Sequence, residues 1–123
     1  MAAAGLWTTA SDLARFATSV QQALAADSNP VLSQSMVRQM LIIQKPSLRV
    51  GDGLGFFLAG SEKTLQFQHT GRNAGFDAYL IAYAYASNGA VILINANDDT
   101  GATKDIAEII AKQYGWKDYR YYT

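Results

Sequence analysis

An α+β domain built on an antiparallel sheet is the fold class this 123-residue sequence predicts. Three observations carry it. Two stretches of helical periodicity precede residue 42, a third follows residue 100, and four strand-like segments lie between them. Only short turn sequences join those strands, so they pair antiparallel, and helices grouped before and after them make the class α+β. The expected order is helix, helix, a meander of about four strands, helix, with the N-terminal and C-terminal helices packed on the sheet. A chain of this length forms a single domain, residues 1–123.

The elements follow in order. Thr8, Thr9 and Ser11 are candidate N-caps ahead of Asp12, whose carboxylate suits the positive end of a helix. Leu13, Phe16, Ala17, Val20 and Leu24 then recur on one helical face, and Asp27-Ser28-Asn29-Pro30 breaks it. Ser33 caps a shorter helix carrying Met36, Val37, Met40 and Leu41, which ends before Pro46. Residues 45–52 read as a loop. Residues 54–59 form a short strand closed by Gly60-Ser61-Glu62-Lys63. Leu65, Phe67 and His69 alternate with Gln66, Gln68 and Thr70, the period of a strand with one drier face. Residues 76–85 and Ala90-Val91-Ile92-Leu93-Ile94 are apolar on both faces, which predicts central, covered strands. Ser87-Asn88-Gly89 between them signals a tight hairpin. Thr100 or Thr103 caps a last helix with Ile106, Ile109, Ile110 and Gln113 on one side and Gly115 past its end. The tail Trp116-Lys117-Asp118-Tyr119-Arg120-Tyr121-Tyr122-Thr123 is aromatic and suits an added edge strand or a frayed terminus.

Composition narrows the function classes. Half the residues are hydrophobic and 16% are charged, a globular balance. Ten acidic and ten basic residues cancel and are scattered, so no basic surface for phosphates is expected and nucleic acid is not an expected partner. No apolar run approaches the ~18–20 residues that cross a bilayer, so no membrane partner is expected. The absence of cysteine removes disulfides and thiolate metal sites. Met1-Ala2-Ala3-Ala4-Gly5 lacks the basic and apolar segments of a signal peptide, and the compartment is left open.

The densest chemistry lies in His69-Thr70-Gly71-Arg72-Asn73-Ala74-Gly75-Phe76, which holds the only histidine of the chain. His69-Thr70-Gly71 resembles the third active-site motif, Lys-Thr-Gly or His-Thr-Gly, of the serine β-lactamase, penicillin-binding protein and esterase superfamily. Ala4-Gly5-Leu6-Trp7-Thr8-Thr9-Ala10-Ser11-Asp12-Leu13-Ala14-Arg15-Phe16 is similar to that family's segment leading into a helix beside the active site. Gly53-Leu54-Gly55-Phe56-Phe57 is similar to the strand before the motif, and Gly75-Phe76 and Val91-Ile92-Leu93-Ile94-Asn95 to the two strands after it. These ordered matches resemble the C-terminal third of a β-lactamase/DD-peptidase-like domain. The resemblance implies that His69, Thr70 and Gly71 border a cleft and that the backbone N–H of Arg72 is one of two oxyanion donors. It also implies that His69, Thr70, Arg72 and Asn73 contact substrate. The Arg72 side chain is a separate question, with anion binding at the cleft mouth and an ordinary loop arginine as alternatives.

What the family needs for chemistry is missing. None of Ser11, Ser19, Ser28, Ser33, Ser35, Ser47, Ser61 and Ser87 has a lysine three residues on, and no Tyr-x-Asn or Ser-x-Asn occurs. A nucleophile and its base are therefore not encoded, and the catalytic set is incomplete. Two functions fit: the C-terminal portion of a serine hydrolase, inactive alone, or a free-standing binding or self-assembly domain derived from that fold. Taken alone, a histidine sharing a strand face with Leu65 and Phe67 reads as structural, and it is the flanking matches that make it a motif position. A triad joining His69 to Asp77 has no serine in an elbow sequence to complete it. Asn95, Asn97, Asp98 and Asp99 fail as a calcium loop, because Gly101 falls one place late and Ile106 stands where a bidentate Glu belongs. They read as a turn and helix-cap cluster. Gly51, Gly53 and Gly55 do not have dinucleotide spacing. No cofactor and no metal are expected.

In the complete family domain the strand corresponding to Ala90-Val91-Ile92-Leu93-Ile94 is covered at its edge by N-terminal strands that this sequence lacks. An open apolar edge recruits partners. The expected cover is the Tyr119-Arg120-Tyr121-Tyr122 tail, another copy of the chain, or a complementary N-terminal fragment. Full-length relatives are often exported, with a signal upstream of this start.

Overall fold

The computed structural model describes residues 4–26, 31–46 and 51–122. Helix α1 (Ala10–Ala26) begins where the Thr9 hydroxyl accepts the Asp12 N–H at 3.1 Å, so Thr9 is the cap among the three candidates. Ser33 caps α2 (Gln34–Met40), accepting the Met36 N–H at 3.2 Å. The expected break at residues 27–30 lies outside the described residues.

Six strands follow in simple meander order: β1 (Lys45–Pro46), β2 (Gly51–Asp52), β3 (Phe57–Ala59), β4 (Gln66–Asn73), β5 (Phe76–Tyr83) and β6 (Gly89–Ile94). Every neighbouring pair is antiparallel. Helix α3 (Ala102–Gln113) closes the fold. The architecture is α+β as the sequence predicts, with a minimal β1–β2 pair inside the stretch expected to be loop. β3 is shorter than expected because the Gly53 N–H donates to the Phe56 carbonyl at 2.8 Å, folding residues 53–56 into a turn. At the far end of β3, Gly60 has φ +71, and a Cβ there would meet the Thr64 carbonyl oxygen at 2.2 Å. Glycine is required at that bend.

The sheet is covered on both faces. On one side α1 and α2 bury Val20, Ala23, Leu24 and Val37 against Leu58, Phe67, Leu80 and Ala82. On the other, Tyr79, Ile81 and Ile92 meet Ala107 of α3, with Trp116, Tyr119 and Tyr121 packed around them. The inward side of α3 differs from the expected isoleucine stripe. Ala107 and Ala111 are buried, whereas Ile106 and Ile109 are exposed. The tyrosine and tryptophan rings fill the space beneath the helix, so small residues face inward.

Three further expectations change. The Asn88-Gly89 signal does not make a two-residue hairpin: Gly89 is already paired with Ala82, and residues 84–88 form a longer loop. The Ala84 N–H donates to the Leu65 carbonyl at 2.9 Å, and the Gln21 side-chain amide of α1 donates to the carbonyls of Tyr83, Ala86 and Asn88 at 2.9–3.0 Å. These long-range bonds hold the loop open. Second, β5 is interior but β6 is the last strand of the sheet. Third, the first half of β4 has no wet face. Gln66 and Gln68 are as buried as Phe67, because the C-terminal tail crosses over them. The Gln66 amide donates to the Asp118 carbonyl at 2.7 Å and its oxygen accepts the Arg120 N–H at 3.1 Å. The Gln68 amide donates to the Arg120 carbonyl at 3.0 Å, and its oxygen accepts the Tyr79 hydroxyl at 2.6 Å. The tail therefore seals the face of the sheet and is not an added strand beside β6. Buried amides need such partners, and the tail backbone supplies them.

Candidate functional site

Strand β4 changes character along its length. Its first residues are flanked on both sides, since Gln66, Phe67 and Gln68 pair with β3 as well as β5. β3 stops at Phe57, opposite Gln68, so among the described residues strand β4 is paired only with β5 from His69 to Asn73. The Ala84-to-Leu65 hydrogen bond fixes the direction of the remaining backbone groups. Odd-numbered residues of β4 turn their N–H and C=O toward β5, and the alternation of an antiparallel ladder turns those of Thr70 and Arg72 to the open edge. The hairpin that follows closes at the Asn73–Phe76 pair, with Gly75 at φ +84 in the turn.

The motif side chains have different environments. The His69 ring leaves the core shared by Leu65 and Phe67, is exposed, and stacks on Phe57 at 5.4 Å between ring centres and 22° between planes. Its Nδ1 lies 2.6 Å from the Thr70 carbonyl oxygen. Thr70 is half-buried. At Gly71 the backbone is ordinary, and a Cβ would meet only the Ala78 methyl at 3.7 Å, so the fold itself does not require glycine there. The Arg72 guanidinium pairs with Asp99 at 2.7 Å and lies 3.6 Å from Asp77. Asn73 donates from its side chain to the Ala4 carbonyl at 3.1 Å, tying the N-terminal segment to the hairpin, where Trp7 also meets Phe76 edge-to-face at 5.9 Å.

A polar hub anchors this hairpin to the β6–α3 loop. The Asn97 side chain accepts the Gly75 N–H at 2.7 Å and donates to the Asn73 carbonyl at 2.6 Å and the Asp77 carboxylate at 3.1 Å. Asp77 also accepts the Asp98 N–H at 2.9 Å. Asp98 in turn accepts from the Thr100 hydroxyl and from the Ala102 and Thr100 N–H groups. Asp98 thus caps α3 where the sequence suggested Thr100 or Thr103, and Gly101, at φ +90, is the N-cap residue. The Asp98 N–H, then the Asn97 amide and Arg72, hold the Asp77 carboxyl below its ordinary range. The Thr100 hydroxyl, followed by the Ala102 and Thr100 N–H groups, does the same for Asp98.

These lowered values carry a sign. A carboxyl with a lower pKa in the folded state stabilises the fold above its unfolded pKa of about 3.9 and loses that contribution as pH falls through the folded value. Stability is therefore expected to drop as pH falls below about 4. Replacement Asp77→Asn is expected to flatten that drop, read by circular dichroism along an acid titration. Coincident acid curves for the two proteins would remove Asp77 from the account.

Of the residues singled out in the sequence, His69, Thr70, Gly71, Arg72 and Asn73 share one strand end. His69 and Asp77 do not form a pair: the partners of Asp77 are Asn97, Asp98 and Arg72. Among the described residues no group of His, Asp and Glu could hold a metal ion, and no helix is long and apolar enough to cross a membrane. Asn97 as the hub and Phe57 as the partner of His69 escape sequence reasoning. Asn97 was visible only as part of a turn cluster, and nothing local marks Phe57.

Comparison with known proteins adds two findings. The model of the family described as Beta-lactamase matches residues 1–114. No curated protein matches the chain.

Proposed function

The chain belongs to the β-lactamase family, and we propose that it is the C-terminal portion of a β-lactamase-like serine hydrolase of esterase, DD-peptidase or β-lactamase type, inactive alone. The observation that carries this proposal is the open end of β4, where Thr70 and Arg72 aim backbone groups away from β5 and Gly71 adds no side chain. An acyl group lying along that edge would find hydrogen-bonding backbone, and its carbonyl oxygen could accept from the Arg72 N–H as negative charge develops. His69, Thr70 and Asn73 would supply polar contacts around it. The serine that attacks, the base that takes its proton and the second oxyanion donor come from a segment this sequence does not encode. The Arg72 side chain is occupied by Asp99 and Asp77, so its part in this scheme is structural and its backbone does the chemistry. The test is turnover of a chromogenic ester or β-lactam by the chain alone and after mixing with a fragment bearing Ser-x-x-Lys. None is expected alone, and turnover by the chain alone would overturn the proposal.

A second reading, a free-standing binding or self-assembly domain, is favoured by one observation. Among the described residues β6 pairs only with β5, leaving the other edge of Gly89–Ile94 without a strand. Such an edge would accept a strand from a second copy or from the complementary fragment. Sedimentation is expected to give an associated species that the complementary fragment dissociates. A monomer at all concentrations, with or without the fragment, would remove the edge as an interface.

A further inference from the structure

The aromatic tail reaches the motif through a single ring. Phe57 stacks on His69 at 5.4 Å and on Tyr122 at 4.9 Å, with interplanar angles of 22° and 20°. Tyr122 also touches Tyr121 at 5.1 Å, and Tyr121 stacks on the buried Tyr79 at 5.0 Å and 14°. A continuous run of rings thus joins the core of the sheet to an exposed imidazole. The tail is held in register by the Gln66 and Gln68 bonds to Asp118 and Arg120, two residues short of Tyr122. The family match ends at residue 114, so the tail lies outside the matched part of the chain.

We propose that Phe57 and Tyr122 are positioning residues for His69, and that through them the C-terminal tail sets the orientation of the imidazole at the open end of β4. An exposed side chain at a strand edge samples several rotamers unless something holds it. The Thr70 carbonyl fixes one ring nitrogen, and the Phe57 face fixes the ring plane. Phe57 is half-buried at the last residue pair of β3, and Tyr122 packing against it limits the swing of that ring in turn. Offset-stacked rings of this kind attract each other strongly enough to bias a rotamer several-fold. The catalytic meaning of the device rests on the proposed place of His69 beside an acyl cleft. The device itself does not.

His69 is the only histidine, so its two ring protons give an isolated pair of proton NMR signals. Lying over the face of Phe57, they are expected upfield of the signals of a histidine in an unstructured peptide. Phe57→Leu is expected to abolish that displacement. Tyr122→Ala is expected to reduce it while the remaining amide spectrum stays that of the folded chain, and Tyr122→Phe to restore it. A wild-type signal at the unstructured position, or a displacement indifferent to Tyr122→Ala in a folded chain, would overturn the proposal. The measurement needs neither substrate nor partner, so its failure leaves the hydrolase proposal standing, and a failed complementation leaves the stack standing.

Discussion

Deleting residues 117–123 is expected to lower the stability of the chain by roughly 3–5 kcal/mol, a large share of the ~5–15 kcal/mol typical of a domain. The deletion removes the acceptors and donor that satisfy two fully buried glutamines. It also removes the Lys117 carbonyl that accepts the Tyr83 hydroxyl at 2.8 Å. Each such bond contributes about 1 kcal/mol net, and the Tyr79–Tyr121 and Phe57–Tyr122 stacks add about 1 kcal/mol apiece. Water reaching the uncovered glutamines and the chain freedom regained by the released tail oppose these terms. Burial of the sheet face tips the balance toward destabilisation. Urea unfolding is the measurement: the midpoint should fall, and the slope should fall with it because less surface is exposed on unfolding. An unchanged midpoint would mean that the tail rests on the sheet without stabilising it.

Mixing the chain with a fragment that carries the Ser-x-x-Lys helix is expected to raise turnover by roughly 10⁶-fold over this chain alone, the scale on which loss of the nucleophile lowers kcat in a serine hydrolase. The two variants at position 72 then separate backbone from side chain. Arg72→Pro removes the N–H proposed as an oxyanion donor. Because that N–H faces the open edge, proline takes no bond from the β4–β5 ladder. A loss of about 10²–10³-fold in kcat is expected in the reconstituted enzyme. Arg72→Ala keeps the N–H and removes only the contacts to Asp99 and Asp77, so kcat should stay within a few-fold. Equal losses in the two variants would assign the role to the guanidinium instead.

Much of the fold was legible because its signals are local. Thr9 and Ser33 cap the helices that follow them, and the Gly75 turn sits where the strand sequence is interrupted. The site was legible only as a string. His69-Thr70-Gly71-Arg72 could be placed on a strand, but which of its backbone groups face outward depends on where β3 stops, a property of another strand. The Asn88-Gly89 turn failed for a related reason: bonds from Gln21 and to Leu65, distant in sequence, outweighed a local preference. The alternation of β4 predicted a wet face at Gln66 and Gln68, and a tail some fifty residues later made that face dry.

By itself the sequence determined the class of fold, the order of its elements, the His69-Thr70-Gly71 string on a strand and the absence of any Ser-x-x-Lys. Those follow from periodicity, caps and residue types that act over a turn or a few residues. Tertiary structure alone decided that β4 ends open beyond Gln68, that Arg72 is held by Asp77 and Asp99, and that Phe57 stacks on both His69 and Tyr122. Each of these depends on which surfaces meet after the chain has folded. Hydrophobic burial and hydrogen-bond satisfaction over the whole molecule choose those partners, and no local pattern names them.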